Sequence, residues 1–161
     1  MVKKFFLIAA LFASLASCKS KTNAALKYNQ DIVAKDRSIQ SEGQAVEDKV
    51  SNYYNEGKYD SIGVVGGHME EVLQKTIDDI DAMPAPKAKG IEDFKAAVLK
   101  YFKFVKSIYT VYKEYGHAGT DEKREELINE KEKLVAQRDD VVNDLQHAQK
   151  IFSEANGFRM Q

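Results

Sequence analysis

One stretch of the chain decides its fold class: IEDFKAAVLKYFKFVKSIYTVYKEY, residues 91–115. Its large apolar residues follow alternating spacings of three and four over more than three heptads: Ile91, Phe94, Val98, Tyr101, Val105, Ile108, Tyr112 and Tyr115. This spacing places them on one stripe of an α-helix and is typical of coiled coils and helix bundles. Because glycines flank the stretch, we predict a helix from about Gly90 to Tyr115.

The same stretch is rich in aromatic residues. There are seven of them: Phe94, Tyr101, Phe102, Phe104, Tyr109, Tyr112 and Tyr115. We assign most of these side chains to the core, because the stripe spacing explains them. Phe104 and Tyr109 are expected off the stripe, where they would face a partner, a lipid surface or the first helix.

A first helix is predicted upstream, from the N-cap Asn23 to about Glu56. Apolar residues recur there at intervals of seven: Ala25, Ile32, Ile39, Val46 and Tyr53. The companion positions four residues further on are poor in apolar side chains, since they include Asn29, Asp36 and Gly43. We therefore expect a narrow apolar stripe on this helix.

A second helix is predicted from about Ser61 to Met83. The glycines at 63, 66 and 67 are expected to weaken its first turns, since glycine costs roughly 1 kcal/mol of helix propensity relative to alanine. The following segment, Met83-Pro84-Ala85-Pro86-Lys87, is predicted as an extended connection because a proline disfavours the helical conformation of the residue before it.

A fourth helix is predicted from the N-cap Thr120 to about Asn156, with Gly157 after its end. Its main apolar stripe repeats at sevens, whereas Lys131 and Arg138 interrupt the second one. Four amphipathic helices with short connections predict an all-α protein, folded as an antiparallel up-down-up-down four-helix bundle. The alternative is an extended coiled-coil hairpin that dimerises.

The start of the chain has the order of a secretory signal peptide. Lys3 and Lys4 precede an uncharged stretch at residues 5–16, which is too short to cross a bilayer, since that takes about 20 apolar residues. The stretch ends at Leu15-Ala16-Ser17-Cys18, which resembles the lipobox of bacterial lipoproteins. The resemblance implies attachment of diacylglyceryl to the Cys18 thiol, cleavage before Cys18, and acylation of the new amine by a fatty acid such as palmitate.

Cys18 is the only cysteine of the chain, so it cannot form an internal disulfide, and lipidation gives this exported thiol a role. Lys19 follows it, where Gram-negative lipoproteins retained in the inner membrane carry Asp. The resemblance therefore implies the outer membrane, with the domain facing the periplasm or the cell surface. We divide the chain into a cleaved signal peptide at 1–17, a lipidated cysteine with a polar tether at 18–23, and a helical domain at 24–161.

The charge balance argues against nucleic acid as a partner. The chain has 24 Lys and Arg against 25 Asp and Glu, a formal net charge of −1. Loss of Lys3 and Lys4 with the signal peptide leaves 22 cationic residues and a net charge of −3. Nucleic-acid binding needs a concentrated basic surface, which this composition does not indicate.

No pattern in the sequence indicates a catalytic, cofactor or metal site. The pairs Asp144-x-x-His147 and His68-x-x-Glu71 differ from the Glu-x-x-His ligand pairs of di-metal bundles, and His117 has no such pair. The aspartates near 78–81 and 139–144 lie on predicted helices, whereas EF-hand ligands occupy a loop. The glycines at 63–67 lack the strand and the Gly-Lys-Ser/Thr ending of a phosphate loop.

The remainder of the chain resembles small helical surface lipoproteins of unassigned function from Gram-negative bacteria. The resemblance rests on Tyr28-Asn29, on the Met83-Pro84-Ala85-Pro86 link and on the aromatic third helix, and it implies no activity. We predict a non-enzymatic, membrane-anchored binding or structural module with an envelope or extracellular protein as partner. The alternatives are a small-ligand or metal-binding bundle, with a cavity under the glycines of the second helix, and a lipid-anchored hydrolase.

Overall fold

The computed structural model describes residues 20–159, so the predictions for the signal peptide and for Cys18 lie outside the described residues. Four α-helices make up the fold: α1 (Ser20–Asn55), α2 (Tyr59–Ala82), α3 (Ile91–His117) and α4 (Asp121–Ala155). Residues 20–159 contain no strand. The predicted all-α class is confirmed, and the ends of α2 and α3 lie within two residues of their predicted positions.

Contacts between neighbouring helices run in opposite chain order, which makes the helices antiparallel. Lys35 of α1 pairs with Asp79 of α2 at 3.3 Å, and Glu42 pairs with His68 at 3.4 Å. Gln149 of α4 returns to α1 and donates to Asn29. α2 and α3 pair in the same reversed order, through Glu70 with Lys113 and Gln74 with Lys106. α3 and α4 do so through Lys100 with Asp144 and Phe94 with Phe152. The molecule is therefore the up-down-up-down bundle rather than the extended hairpin.

The aromatic helix α3 supplies the largest share of the core. All eight residues of its predicted stripe are buried. Tyr109, expected off the stripe, is only 2% exposed, and Phe104 is half-buried against the core. Tyr109 lies off the two-position stripe and faces α1, one of the three surfaces expected for it, since burial and the α1 carboxylates of Glu47 and Glu42 raise the pKa of its hydroxyl. The buried arc of α3 is therefore wider than the predicted stripe.

The α2–α3 contact depends on glycine. A Cβ atom at Gly66 would lie 2.7 Å from the backbone nitrogen of Lys113 and 2.8 Å from Cβ of Tyr112, and one at Gly116 would overlap the backbone of Gly63. The glycines of α2, predicted to weaken its first turns, thus lie inside an intact helix. The expected cavity beneath them was also wrong at Gly63 and Gly66, because the backbone of α3 occupies that space.

The helix ends follow local chemistry. Thr120 caps α4 as predicted, since its Oγ1 accepts a hydrogen bond from the backbone N–H of Lys123 at 3.2 Å. Gly57, in the turn between α1 and α2, has a left-handed φ of +67°. In contrast, the predicted cap Asn23 lies inside α1, which already includes Ser20. Residues 20–23, predicted as a tether, contain no glycine or proline that would stop the helix, and they form its first turn.

Candidate functional site: a buried tyrosine–carboxylate layer

Three polar side chains are buried on the inner face of α1. Asn29, Asp36 and Glu47 are 7%, 8% and 9% exposed. Asn29 and Asp36 belong to the companion positions that predicted a narrow apolar stripe. The buried face is instead wide and partly polar. Because burying a polar group is costly unless it is hydrogen-bonded, each of these side chains needs a partner from another residue.

Tyrosines of α3 meet the two carboxylates. The hydroxyl of Tyr101 donates to Oδ1 of Asp36 at 3.0 Å, and Gln40 Nε2 donates to its Oδ2 at 2.6 Å. The hydroxyl of Tyr112 donates to Oε2 of Glu47 at 2.8 Å. We call Asp36, Glu47, Tyr101 and Tyr112 the tyrosine–carboxylate layer. It joins α1 to α3, the helix diagonally opposite.

The two bonds repeat in register. Asp36 and Glu47 are eleven residues apart, and so are Tyr101 and Tyr112. Eleven residues are close to three helical turns, so each pair of side chains projects from the same face of its helix. Since α1 and α3 run parallel, the two hydrogen bonds fix the axial register of one helix relative to the other. A shift of α1 by one turn would separate both carboxylates from their tyrosines.

Burial controls the ionisation of the layer. Desolvation raises the pKa of Asp36 to about 6, against the opposing effects of Tyr101, Gln40 and the nearby Arg37 guanidinium. Desolvation also raises the pKa of Glu47, opposed by the Tyr112 bond and the charge of Lys131. The pKa values of both layer tyrosines are raised by burial and by their carboxylate neighbours, so they remain protonated donors.

Helix α4 contributes polar groups to the same side of α1. The ammonium of Lys131 lies 5.2 Å from the centroid of the Tyr112 ring, where it also acts on Glu47. Gln149 Nε2 donates to Oδ1 of Asn29 at 2.8 Å. Lys131 was one of the two residues predicted to interrupt the second stripe of α4. Polar side chains of α1 and α4 therefore meet at Asn29 and near Glu47.

Comparison of the chain with protein families, with curated proteins and with solved structures finds no match. The geometry of the described residues and the motifs of the sequence are therefore the basis for its function.

The spacing of the layer limits its chemistry. A rise of 1.5 Å per residue separates Asp36 from Glu47 by about 16 Å along α1. A carboxylate pair that acts on one glycosidic bond is about 5 to 10 Å apart, so these two residues cannot work as such a pair. Within residues 20–159, no three His, Cys, Asp or Glu side chains converge as a metal site. The layer is suited to positioning helices.

The histidines considered in the sequence lie at the surface. His68 is exposed and pairs with Glu42 at 3.4 Å, while His117 and His147 are also exposed. Asp144, three residues before His147, is bonded to Lys100 at 2.7 Å. Within residues 20–159, neither Asp144 with His147 nor His68 with Glu71 therefore meets a second ligand pair.

The aspartate clusters and the glycine-rich segment have ordinary structural roles. Asp79 is paired with Lys75 and Lys35, and Asp139 with Arg138. These carboxylates lie on exposed helix faces, as predicted. The glycine-rich segment 63–67 is helical.

An open surface hollow of about 380 Å³ lies at the turn between α1 and α2. It is lined by Gly57, Lys58, Tyr59, Asp60, Ser61 and Arg124. Lys58 is paired with Glu56 and Arg124 with Asp121, each at 2.7 Å. Both cations that line the hollow therefore have carboxylate partners.

Glu47 and the pairing of tyrosines with carboxylates were not predicted from the sequence. Asp36 was recognised only as a break in an apolar stripe. The available signal was the shared spacing of eleven residues, between Asp36 and Glu47 on one helix and between Tyr101 and Tyr112 on another. Parallel helices with matching spacings of acceptors and donors indicate cross-helix bonds.

Proposed function

We propose that this protein is a lipid-anchored, non-enzymatic helical module of the bacterial envelope with a binding or structural role. The observation that carries the proposal is the motif Leu15-Ala16-Ser17-Cys18 behind a basic and then uncharged start. In this proposal Cys18 carries the acyl chains, and the outer membrane is the destination because Lys19 replaces the Asp of inner-membrane lipoproteins. Two or three acyl chains form a stable anchor, whereas one is marginal.

The start of α1 supports an anchored module. Helix α1 includes Ser20, which is only two residues after Cys18 in the sequence, so the bundle starts close to the proposed anchor. A 36-residue helix is about 54 Å long, and it would carry the opposite end of the bundle away from the lipid surface. At that opposite end Tyr54 is 52% exposed and packs against Tyr115. An exposed tyrosine held by a neighbour suits contact with an envelope or extracellular protein.

A ligand-binding bundle is less well supported. This alternative was based on an expected cavity under the glycines of α2, and the backbone of α3 occupies that space at Gly63 and Gly66.

Among the described residues, no helix has the length and apolar character needed to cross a bilayer.

The anchor is tested by growing Gram-negative cells that express the full chain with an alkyne analogue of palmitate. We expect the wild-type chain to take up the label and Cys18→Ser to lose it, because no other thiol is available. Ser17→Ala is the matched control and should retain the label, since the lipobox needs only a small residue there. An exported wild-type chain without label, or an equally labelled Cys18→Ser chain, would contradict the proposal.

The side of the membrane is tested by protease treatment of intact cells, with an antibody against the C-terminal helix. Loss of signal in intact cells places the module on the cell surface, and loss only after permeabilisation places it in the periplasm.

The proposal that the module is not an enzyme has a separate test. A purified chain that turns over a substrate, and loses this activity on a single substitution, would overturn it.

A further inference from the structure

We propose that α1 is a releasable helix: it docks on the other three helices through the tyrosine–carboxylate layer while Asp36 and Glu47 are protonated, and its docking weakens when they ionise. The proposal concerns the bundle alone and does not depend on the lipid anchor.

The packing of α1 differs from that of its neighbours. Among residues 20–159, four polar or charged residues are buried, and three of them, Asn29, Asp36 and Glu47, are on α1. Of the adjacent helix pairs, α2 and α3 share the most extensive contact, and α1 and α4 share the least. The helices α2, α3 and α4 are held by backbone contact at Gly63 and by aromatic stacking.

The contact between α3 and α4 includes stacked aromatic rings. The rings of Phe94 and Phe152 stack with centroids 4.8 Å apart, and Phe158 packs edge-on against Phe152. None of these contacts involves an ionisable group. Proton release from the layer therefore acts on α1 and leaves the apolar α3–α4 contact unchanged.

The surroundings of Asp36 favour its neutral form. Besides desolvation, it meets the Tyr101 hydroxyl from α3, and Gln40 and Arg37 from α1 itself. The nearest charged contact between α1 and α2 is the exposed pair of Lys35 and Asp79, one residue earlier on α1. Arg37 moderates the cost of ionisation but does not cancel it, because the pKa of Asp36 still lies at about 6.

Glu47 meets charged and titratable groups from three elements. Tyr112 and Tyr109 face it from α3, Lys131 acts from α4, and Asp48 on α1 opposes its ionisation. On the α2 side, His68 pairs with Glu42, five residues before Glu47. Burial, with a smaller effect of Asp48, outweighs the Tyr112 hydrogen bond and the charge of Lys131, since the pKa of Glu47 is raised.

The connection to α2 allows α1 to move as a unit. The turn at residues 56–58 is exposed, and Gly57 adopts φ +67° with nothing within 4 Å of a Cβ placed on it. When α1 swings away at this turn, the carboxylates lose their protons to water. The hydroxyls of Tyr101 and Tyr112, together with the buried ring of Tyr109, then become exposed on α3.

The experiment is hydrogen exchange of the full chain, purified in a non-ionic detergent, at pH 5 and pH 7.5. After correction for intrinsic exchange, we expect the protection of α1 amides at residues 30–50 to fall about tenfold at the higher pH. This is the change that Asp36 alone produces when its pKa of about 6 returns to 3.8 in water. Protection in α2 and α3 should change much less.

The double variant Asp36→Asn/Glu47→Gln should keep α1 protected at both pH values, because the amides preserve size and accept the tyrosine bonds without a charge. The matched control is Asp31→Asn, which removes an exposed carboxylate from the same helix and should retain the tenfold change. An equal loss of protection in all four helices would overturn the proposal, as would a pH response that persists in the double variant.

Discussion

At the scale of single residues, Tyr28 and Tyr101 are both buried but differ in hydrogen bonding. Tyr28 is 3% exposed, and its hydroxyl has no partner among the described residues. Tyr101 is 5% exposed and donates to Asp36 at 3.0 Å. Removing a partner from a buried polar group costs more than removing a hydroxyl that makes no bond.

We therefore expect Tyr101→Phe to lower the free energy of unfolding by about 1–3 kcal/mol at neutral pH, because Asp36 loses its donor. Tyr28→Phe, the matched control, should leave stability unchanged or increase it. Urea unfolding followed by far-ultraviolet circular dichroism measures both. Equal losses in the two variants would show that the Tyr101 bond contributes nothing specific.

At the scale of the helices, the α2–α3 contact makes a second prediction. Gly66→Ala should destabilise the bundle by about 1–3 kcal/mol, because its Cβ would lie 2.7 Å from the Lys113 backbone nitrogen and the helices would have to separate. The adjacent Gly67 has only flexible Lys113 side-chain atoms nearby, at 3.6 Å. Gly67→Ala should therefore gain up to about 1 kcal/mol of helix propensity.

Thermal unfolding of the two alanine variants makes this comparison within one helix, at neighbouring positions and with the same substitution. A lower midpoint for Gly66→Ala and a higher one for Gly67→Ala is the expected result. If both variants are stabilised, the helices are further apart than the structure places them.

At the scale of the whole molecule, two sets of carboxylates act on stability in opposite directions. The raised pKa of Asp36 means that its stabilising effect is complete below pH 3.8 and is lost as the pH rises through about 6. Glu70 and Asp79 have lowered pKa values, held by Thr110 and lysines, so their effect is present at neutral pH and is lost on acidification below their usual range.

We therefore expect maximum stability in mild acid, near pH 5, with a decline towards neutral pH. Asp36→Asn should increase the free energy of unfolding at pH 7.5 by at most about 3 kcal/mol, the value of a shift of two pH units, and by less at pH 5. Urea unfolding between pH 5 and pH 7.5 tests whether the free energy of unfolding falls as the pH rises. Greater stability of the wild-type chain at pH 7.5 than at pH 5 would contradict the burial effect.

The helices and their order were predictable because they depend on local spacing. The stripe from Ile91 to Tyr115 requires an α-helix in any arrangement, and Pro84 and Pro86 separate α2 from α3 wherever the helices pack. The candidate site was only partly predictable. Asp36 and Lys131 were visible as breaks in apolar stripes, but nothing local to either residue identifies the tyrosine beside it.

The sequence by itself therefore determined an all-α chain of four helices, because periodicity and turn residues act over a few neighbouring positions. The antiparallel bundle was predicted, but the contacts between helices were needed to distinguish it from the extended hairpin. Only the tertiary structure decided that Gly63 and Gly66 bring α2 against α3, and that Asp36 and Glu47 are buried against Tyr101 and Tyr112. Each of these outcomes depends on which residues lie opposite one another across helices. Partners 65 residues apart are set by packing, whereas local spacing sets only the face on which each one lies.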